Sequence, residues 1–353
     1  MYGFGALLVE VISKSKKRKM IKDLKKKVQA TLKSSETEDW LDYRVVRPLS
    51  YLWALFFAKF DIHPNTVTII SMFIGAAASV FFMHGSFYYE GWNGLLLNII
   101  GILLLCQADI FDCTDGQLAR MTGKKSRLGR ILDGVAGFVW FIPIYVLLMV
   151  RFYNHHSLEF GWFGIPDTEE NALIATAIAV AMTLYSGFVG MGGQQRLADY
   201  YIQIHLFLLK GENGCELDSS VQQQKVYDET PSKGNRLWKS FLKTYINYTR
   251  KQEKVTPEFQ NLLNTLREKY GNAGNMPEEI RAELHRESKA IMPLNAMLTF
   301  NFRSGMFFFF CLVDLPMANT IFEIVFMGLL AYYINRRHEA FCRRVANKVK
   351  ASV

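Results

Sequence analysis

The stretch GLLLNIIGILLLCQADIFDCTDGQLAR (94–120), followed by MTGKKSRLGRILD (121–133), decides how the rest of the chain is read. It begins as an apolar run long enough to cross a bilayer, which takes ~20 residues as a helix. Its far end carries Asp109, Asp112 and Asp115 at intervals of three. Acidic residues inside a spanning helix are costly and are therefore functional candidates by default. With ~100° of rotation per residue, such spacing keeps the three near one helical face. A short polar loop then leads into a second apolar run that starts with Gly129 and Asp133, so Asp133 enters at a similar depth. Converging carboxylates repel one another unless cations lie between them. Hard divalent cations such as Mg²⁺ or Mn²⁺ prefer such oxygen ligands, and two adjacent metals can activate an attacking oxygen and stabilise a leaving phosphate. The competing reading is that these aspartates pair with buried arginines.

Working outward, six apolar runs stand out, at 66–84, 94–120, 128–150, 172–195, 294–313 and 317–335. Any single run resembles a buried helix of a water-soluble protein, but six joined by polar loops predict an all-α polytopic membrane protein with six transmembrane helices. The N-terminus lacks the small-residue cleavage site of a secretory signal. Half of the 353 residues are hydrophobic and the formal charge is +9, yet the placement of that charge says more than its sum. Lys and Arg concentrate in residues 1–63, 121–127, 210–293 and the C-terminal tail, whereas the loops 85–93, 152–170 and 314–316 hold none and Arg151 sits at an edge. This positive-inside pattern places both termini in the cytoplasm, most simply of a bacterial inner membrane. The basic excess then serves anionic membrane lipids rather than nucleic acid. The five cysteines show no metal-type spacing.

The expected organisation is a basic and amphipathic juxtamembrane segment (1–63), helices one to four with the acidic motif (64–210), a cytoplasmic helical insertion (211–293), helices five and six (294–336) and a basic tail (337–353). Residues 1–35 read equally as an interfacial anchor or a solvated tail. Residues 38–60 carry apolar side chains at helical spacing and predict an N-terminal interfacial helix ending before Pro64, where the first spanning helix begins. The insertion predicts helices near 236–252 and 257–270 and a helix start after Pro277.

Asp112, Asp115, Gly116, Ala119 and Arg120, eight residues, then Gly129 and Asp133 resemble the signature of the CDP-alcohol phosphotransferases, D-x2-D-G-x2-A-R, eight or nine residues, G-x3-D-x3-D. The resemblance covers the helical core including Pro64 and Asn65, not the N-terminal extension or the insertion. It implies a six-helix homodimer that transfers a substituted phosphoryl group from a CDP-linked donor to an alcohol acceptor, releasing CMP. By position it implies that Asp112, Asp115 and Asp133 hold two Mg²⁺ or Mn²⁺ ions. Asn65, Thr68, Gly116, Ala119, Arg120, Ser126 and Gly129 would meet the nucleotide or its phosphates. The bland alternative for each glycine is close helix packing.

The departure is at residue 137, where the signature's last aspartate, the family's proposed base, is Gly137. Asp109 takes over that role together with Asp133, or the acceptor needs no base, or the chain has lost activity. Arg303, deep in the fifth run, either pairs with Asp109 or joins Arg196 in binding an anionic acceptor such as inositol phosphate, with Gly190, Gly192 and Gly193 leaving space. His63 and His205 are expected to be interfacial residues without catalytic work. The expected function is phospholipid or sphingolipid headgroup transfer from a CDP-linked lipid to a small alcohol or polyol phosphate. An ion-coupled transporter and a non-catalytic scaffold are the alternatives.

Overall fold

The structure, a computed structural model, describes residues 34, 36–37, 39–211, 215 and 217–351, apart from the side chains of residues 189 and 191. The expected basic segment at 1–35 lies, but for Ser34, outside the described residues. A π-helical turn, Asp42–Val46, leads into α1 (Arg47–Lys59). The apolar core follows as α2 (Pro64–Met83), α3 (Phe87–Thr122), α4 (Arg127–Asn154), the short α5 (Ser157–Phe163) and α6 (Glu169–Tyr185). A second π turn, Ser186–Met191, joins α6 to α7 (Gly192–Lys210). Then come α8 (Ser220–Glu229), α9 (Arg236–Val255), α10 (Pro257–Tyr270), α11 (Glu278–Ala296), α12 (Phe300–Leu312) and α13 (Pro316–Phe322). A third π turn, Glu323–Met327, continues into α14 (Gly328–Ala351). No strand occurs among the described residues, and the chain is an all-α polytopic membrane protein.

Among the described residues, five helical stretches are long and apolar enough to cross a membrane: Pro64–Met83, Phe87–Thr122, Arg127–Asn154, Glu169–Lys210 and Pro316–Ala351. The run expected at 294–313 is not one helix. Its first residues end α11, residues 297–299 turn, and α12 begins at Phe300. At 1.5 Å per residue α12 is about 20 Å long, short of the ~30 Å hydrocarbon core. The expected basic tail is likewise no separate segment, since α14 carries it without a break to Ala351.

Three helices fix the position of the acidic motif. The α2 helix packs along both α3 and α4, and its Gly75 lets the Trp140 ring of α4 lie against the backbone, because a Cβ there would stand 2.2 Å from the indole. The α1 helix lies across α3 and is pinned by polar contacts. Ser50 donates to the Ile110 carbonyl (2.9 Å), and the Gln117 amide donates to the Arg47 carbonyl (3.3 Å). At the opposite end of the bundle, Arg151 is buried and donates to Asp314 (2.5 Å) and to the Phe82 carbonyl (2.9 Å). Its charge is thereby neutralised within the protein, which is why an arginine occurs beside loops otherwise free of them.

The insertion does not stand alone. Leu262 and Leu266 of α10, Ile291 of α11, Tyr201 and Ile204 of α7, and Phe341 and Val345 of α14 share one buried core. Helices that start among the apolar spans therefore end inside a compact helical layer. His205 belongs to this layer: it is fully buried, paired with Ser288 (3.0 Å) and Glu36 (3.2 Å). The expectation of an interfacial histidine is thus corrected. His63, by contrast, caps α2 by accepting from the Asn65 N–H (3.1 Å).

Gly75→Ala is expected to destabilise the protein by about 1–3 kcal/mol, as overpacking of a filled interior does. Gly137→Ala, whose added Cβ meets nothing within 4 Å, is expected to leave the thermal unfolding midpoint in detergent unchanged or slightly raised.

Candidate active site

The end of α3 and the start of α4 are turned towards one another by a four-residue loop. Gly123 closes α3 in the left-handed region (φ 73°), and Ser126 caps α4 by accepting from the Gly129 N–H (2.9 Å). An αL glycine after a helix and a serine before one are the ordinary chemistry of such ends. The Ser126 hydroxyl donates onward to Asn65 Oδ1 (3.1 Å) at the start of α2. Gly129 is needed here, because a Cβ would stand 2.7 Å from Asn65 Oδ1 and 3.1 Å from Ser126 Oγ. Outside the apolar zone Lys124 binds Asp61 (2.6 Å), and this ammonium holds the Asp61 carboxyl below its usual range. The structure thus brings Asn65, Ser126 and Gly129 together at one mouth.

Deeper in, Thr68 of α2 is buried and donates its hydroxyl to Asp115 Oδ2. The carboxylates of Asp109, Asp115 and Asp133 all act electrostatically on Asp112, and Asp133 and Arg120 act on Asp115. The Arg120 guanidinium folds back beside Gly116, 3.3 Å from where a Cβ would be. Asp112 Oδ1 is buried and accepts no hydrogen bond. A buried carboxylate oxygen left without a donor is costly, and hard cations supply what it lacks. The donor set of Asp112, Asp115 and Asp133, all oxygen and all anionic, fits a divalent pair.

Asp109 looks the other way. The charges acting on it are those of Asp42 in the π turn, Arg47 at the start of α1, and Asp39 just before them. Each step of three residues rotates the side chain by about −60°, so Asp109 is turned about 120° from Asp115, towards α1. Position 137 is open space, with nothing within 4 Å of an added Cβ; no other side chain has filled the place of the missing carboxylate.

Both expected acceptor-binding arginines are engaged by protein groups. Arg303 is buried (4% exposed), pairs with Glu323 (3.2 Å) and donates to the Gln194 amide oxygen (2.8 Å). The Glu323 carboxylate also accepts from Ser186 (2.6 Å) and from the Tyr145 hydroxyl (3.3 Å). Arg196 lies over the Tyr248 ring, 5.9 Å from its centre. Sequence reasoning weighed only Asp109 as the partner of Arg303; the overlooked signal was Glu323, an acid in the midst of the last apolar run.

Residues 61–201 match the CDP-alcohol phosphatidyltransferase family model. The match runs from the end of α1 through α2, α3, α4, α5 and α6 into α7. It therefore contains the whole acidic site and leaves α1, the insertion and the last three helices outside. The CDP-alcohol phosphatidyltransferases are transferases that move a phosphoryl group from a CDP-alcohol, and they depend on divalent metals. No curated protein and no solved structure matches the chain significantly.

Gly129→Ala is expected to break the Ser126–Asn65 contact. In a purified, CDP-binding preparation it should weaken CDP affinity at least tenfold without lowering the unfolding temperature by more than a few degrees. Unchanged affinity would remove this mouth from the nucleotide site.

Proposed function

We propose that this protein transfers a substituted phosphoryl group from a CDP-activated lipid to a small alcohol, releasing CMP, in phospholipid or sphingolipid headgroup synthesis. The observation that carries the reading is the set of Asp112, Asp115 and Asp133 at the α3–α4 mouth, with one buried oxygen lacking a partner, inside the region matched to the family. These three residues would hold Mg²⁺ or Mn²⁺, two per site, which would supply positive charge to the diphosphate and the leaving CMP. Arg120 adds a fixed guanidinium to the same phosphates. Asn65, Ser126 and Gly129 present short polar groups and open backbone to the nucleotide, Gly116 and Ala119 keep the helix surface low, and Thr68 orients Asp115.

In the transfer itself, the acceptor oxygen bonds to the phosphorus of the activated lipid and the phosphorus–oxygen bond to CMP breaks. The hydroxyl proton passes to Asp109, which stands one turn deeper than Asp112 and on the side away from the nucleotide mouth. Asp109 thus replaces the base that Gly137 lacks. Inositol phosphate as acceptor would draw on Arg196 and Arg303, and the engagement of Arg303 by Glu323 weighs against it. The distribution of Lys and Arg supports a site and both termini facing the cytoplasm, as in a bacterial inner membrane, and the family resemblance supports a homodimer.

Purified protein given a CDP-activated lipid, Mg²⁺ or Mn²⁺ and a panel of alcohols is expected to release CMP only with metal. Asp133→Asn should lower the rate by at least 10²-fold, and Asp109→Asn by the 10²–10⁴-fold typical of a lost general base. Gly137→Asp should lower activity, because it adds a further negative charge beside Asp112, Asp115 and Asp133; a clear gain would overturn the role given to Asp109. Absent release across the panel, with CDP binding metal-independent or absent, would favour a non-catalytic scaffold, whereas metal-independent release would overturn the role given to the metals.

A further inference from the structure

Away from the acidic motif, Glu36, His205 and His285 bring three metal-ligand atoms within 4.8 Å of one another. They come from distant parts of the chain. Glu36 precedes the π turn that leads into α1, and its N–H donates to Ser34 Oγ (3.1 Å). His205 lies on α7 and His285 on α11, two helices packed against each other. Both imidazoles turn Nε2 to the same carboxylate oxygen, Glu36 Oε2, at 3.2 Å and 3.1 Å, with ring centres 5.0 Å apart.

These separations suit a coordination shell as well as a pair of hydrogen bonds. Zinc holds imidazole nitrogen at about 2.0–2.1 Å and carboxylate oxygen at about 2.0–2.2 Å, so ligands at tetrahedral angles stand roughly 3.3 Å apart. Two imidazoles and one carboxylate suit Zn²⁺ better than Mg²⁺, which prefers an octahedron of oxygens. The groups behind the ligands are also in place. Ser288 Oγ stands 3.0 Å from His205 Nδ1, and an Nδ1–H donating to it leaves the Nε2 lone pair facing Glu36. The other Glu36 oxygen, Oε1, accepts from Lys289 Nζ (2.9 Å), which leaves Oε2 for the ion. The Lys289 side chain is 58% exposed, so solvent screens its charge. A second group of this kind, His338, Glu339 and Cys342 on α14, is committed elsewhere, because Glu339 accepts from the Glu258 N–H at the start of α10 (2.6 Å).

We propose that Glu36, His205 and His285 form a zinc site that clips the segment ahead of α1 to the α7–α11 pair, with water in the fourth position. The site is structural and does not depend on the transferase reading. Glu36 and His285 are partly exposed, which gives the ion a way in. His205 and His285 are 169 and 249 residues from Glu36 along the chain, so the three meet only when it is folded. An ion bound there stabilises the native state. Asp39 tethers the same segment independently by accepting from the Asn301 amide (2.6 Å), so the metal-free protein keeps one attachment.

The test is calorimetric titration of Zn²⁺ into full-length protein in detergent, stripped by a chelator and then given excess Mg²⁺ to occupy the aspartates. One Zn²⁺ per chain is expected. Glu36→Gln and His285→Gln are each expected to weaken binding at least tenfold, and Asp133→Asn to leave it within twofold. Zn²⁺ is expected to raise the unfolding midpoint of the parent but not of either ligand variant. No saturable binding beside excess Mg²⁺, or binding that both ligand variants leave intact, overturns the proposal. Binding lost in Asp133→Asn and kept in Glu36→Gln also overturns it, since the ion then sits among the aspartates. Should a ligand variant fail to fold, X-ray absorption at the zinc edge of the parent decides. Two imidazole nitrogens on the ion uphold the site, and any other shell overturns it.

Discussion

Asp112 and the buried Asp115 repel one another where solvent screens charge weakly, the exposed Asp133 acts on both, and much of the core is arranged so that the three nonetheless stay together. Gly75 lets α2 and α4 approach closely. Thr68, on α2, gives one Asp115 oxygen a hydroxyl donor. Arg47, held over α3 because its own carbonyl accepts from Gln117, contributes positive charge to Asp109 and Asp112. The buried Asp112 oxygen remains without a donor. That free oxygen is where the proposed divalent cations would bind.

A second intramembrane charge cluster stands apart from the first. Glu323 lies on a π turn and accepts from Ser186, which begins another π turn, and Arg303 closes the group. A π turn inserts an extra residue into the helix and re-aims the side chains around it. Gln194 bridges the two sides, accepting from Arg303 and donating to the Glu323 carbonyl (3.0 Å). The pair is thus compensated on both partners, as buried charges must be. It ties the helices outside the family region to the one that ends it.

That Asp109, Asp115 and Asp133 lie near enough to act on Asp112 was legible in the sequence, because the spacing and the apolar setting of these residues are local properties. The all-α membrane class was legible for the same reason. What the sequence concealed depends on contacts between distant segments. Residues 294–313 have the composition of a span, yet the turn at 297–299 divides them between a helix of the polar layer and the short α12. Leu262, Ile291 and Val345 look like ordinary amphipathic positions, and nothing local shows that they share a core with Tyr201. The partner of Arg303 was hidden in the same way, because hydropathy reports that Glu323 is buried but not what it faces.

The central claim is that the three carboxylates form a two-metal site, and manganese binding tests it most directly. Electron paramagnetic resonance of purified protein titrated with Mn²⁺ in the presence of CDP counts bound ions without requiring turnover. The account predicts two ions per chain, with at least one lost in Asp115→Asn and in Asp133→Asn. No saturable binding, or binding that both variants leave intact, would contradict it.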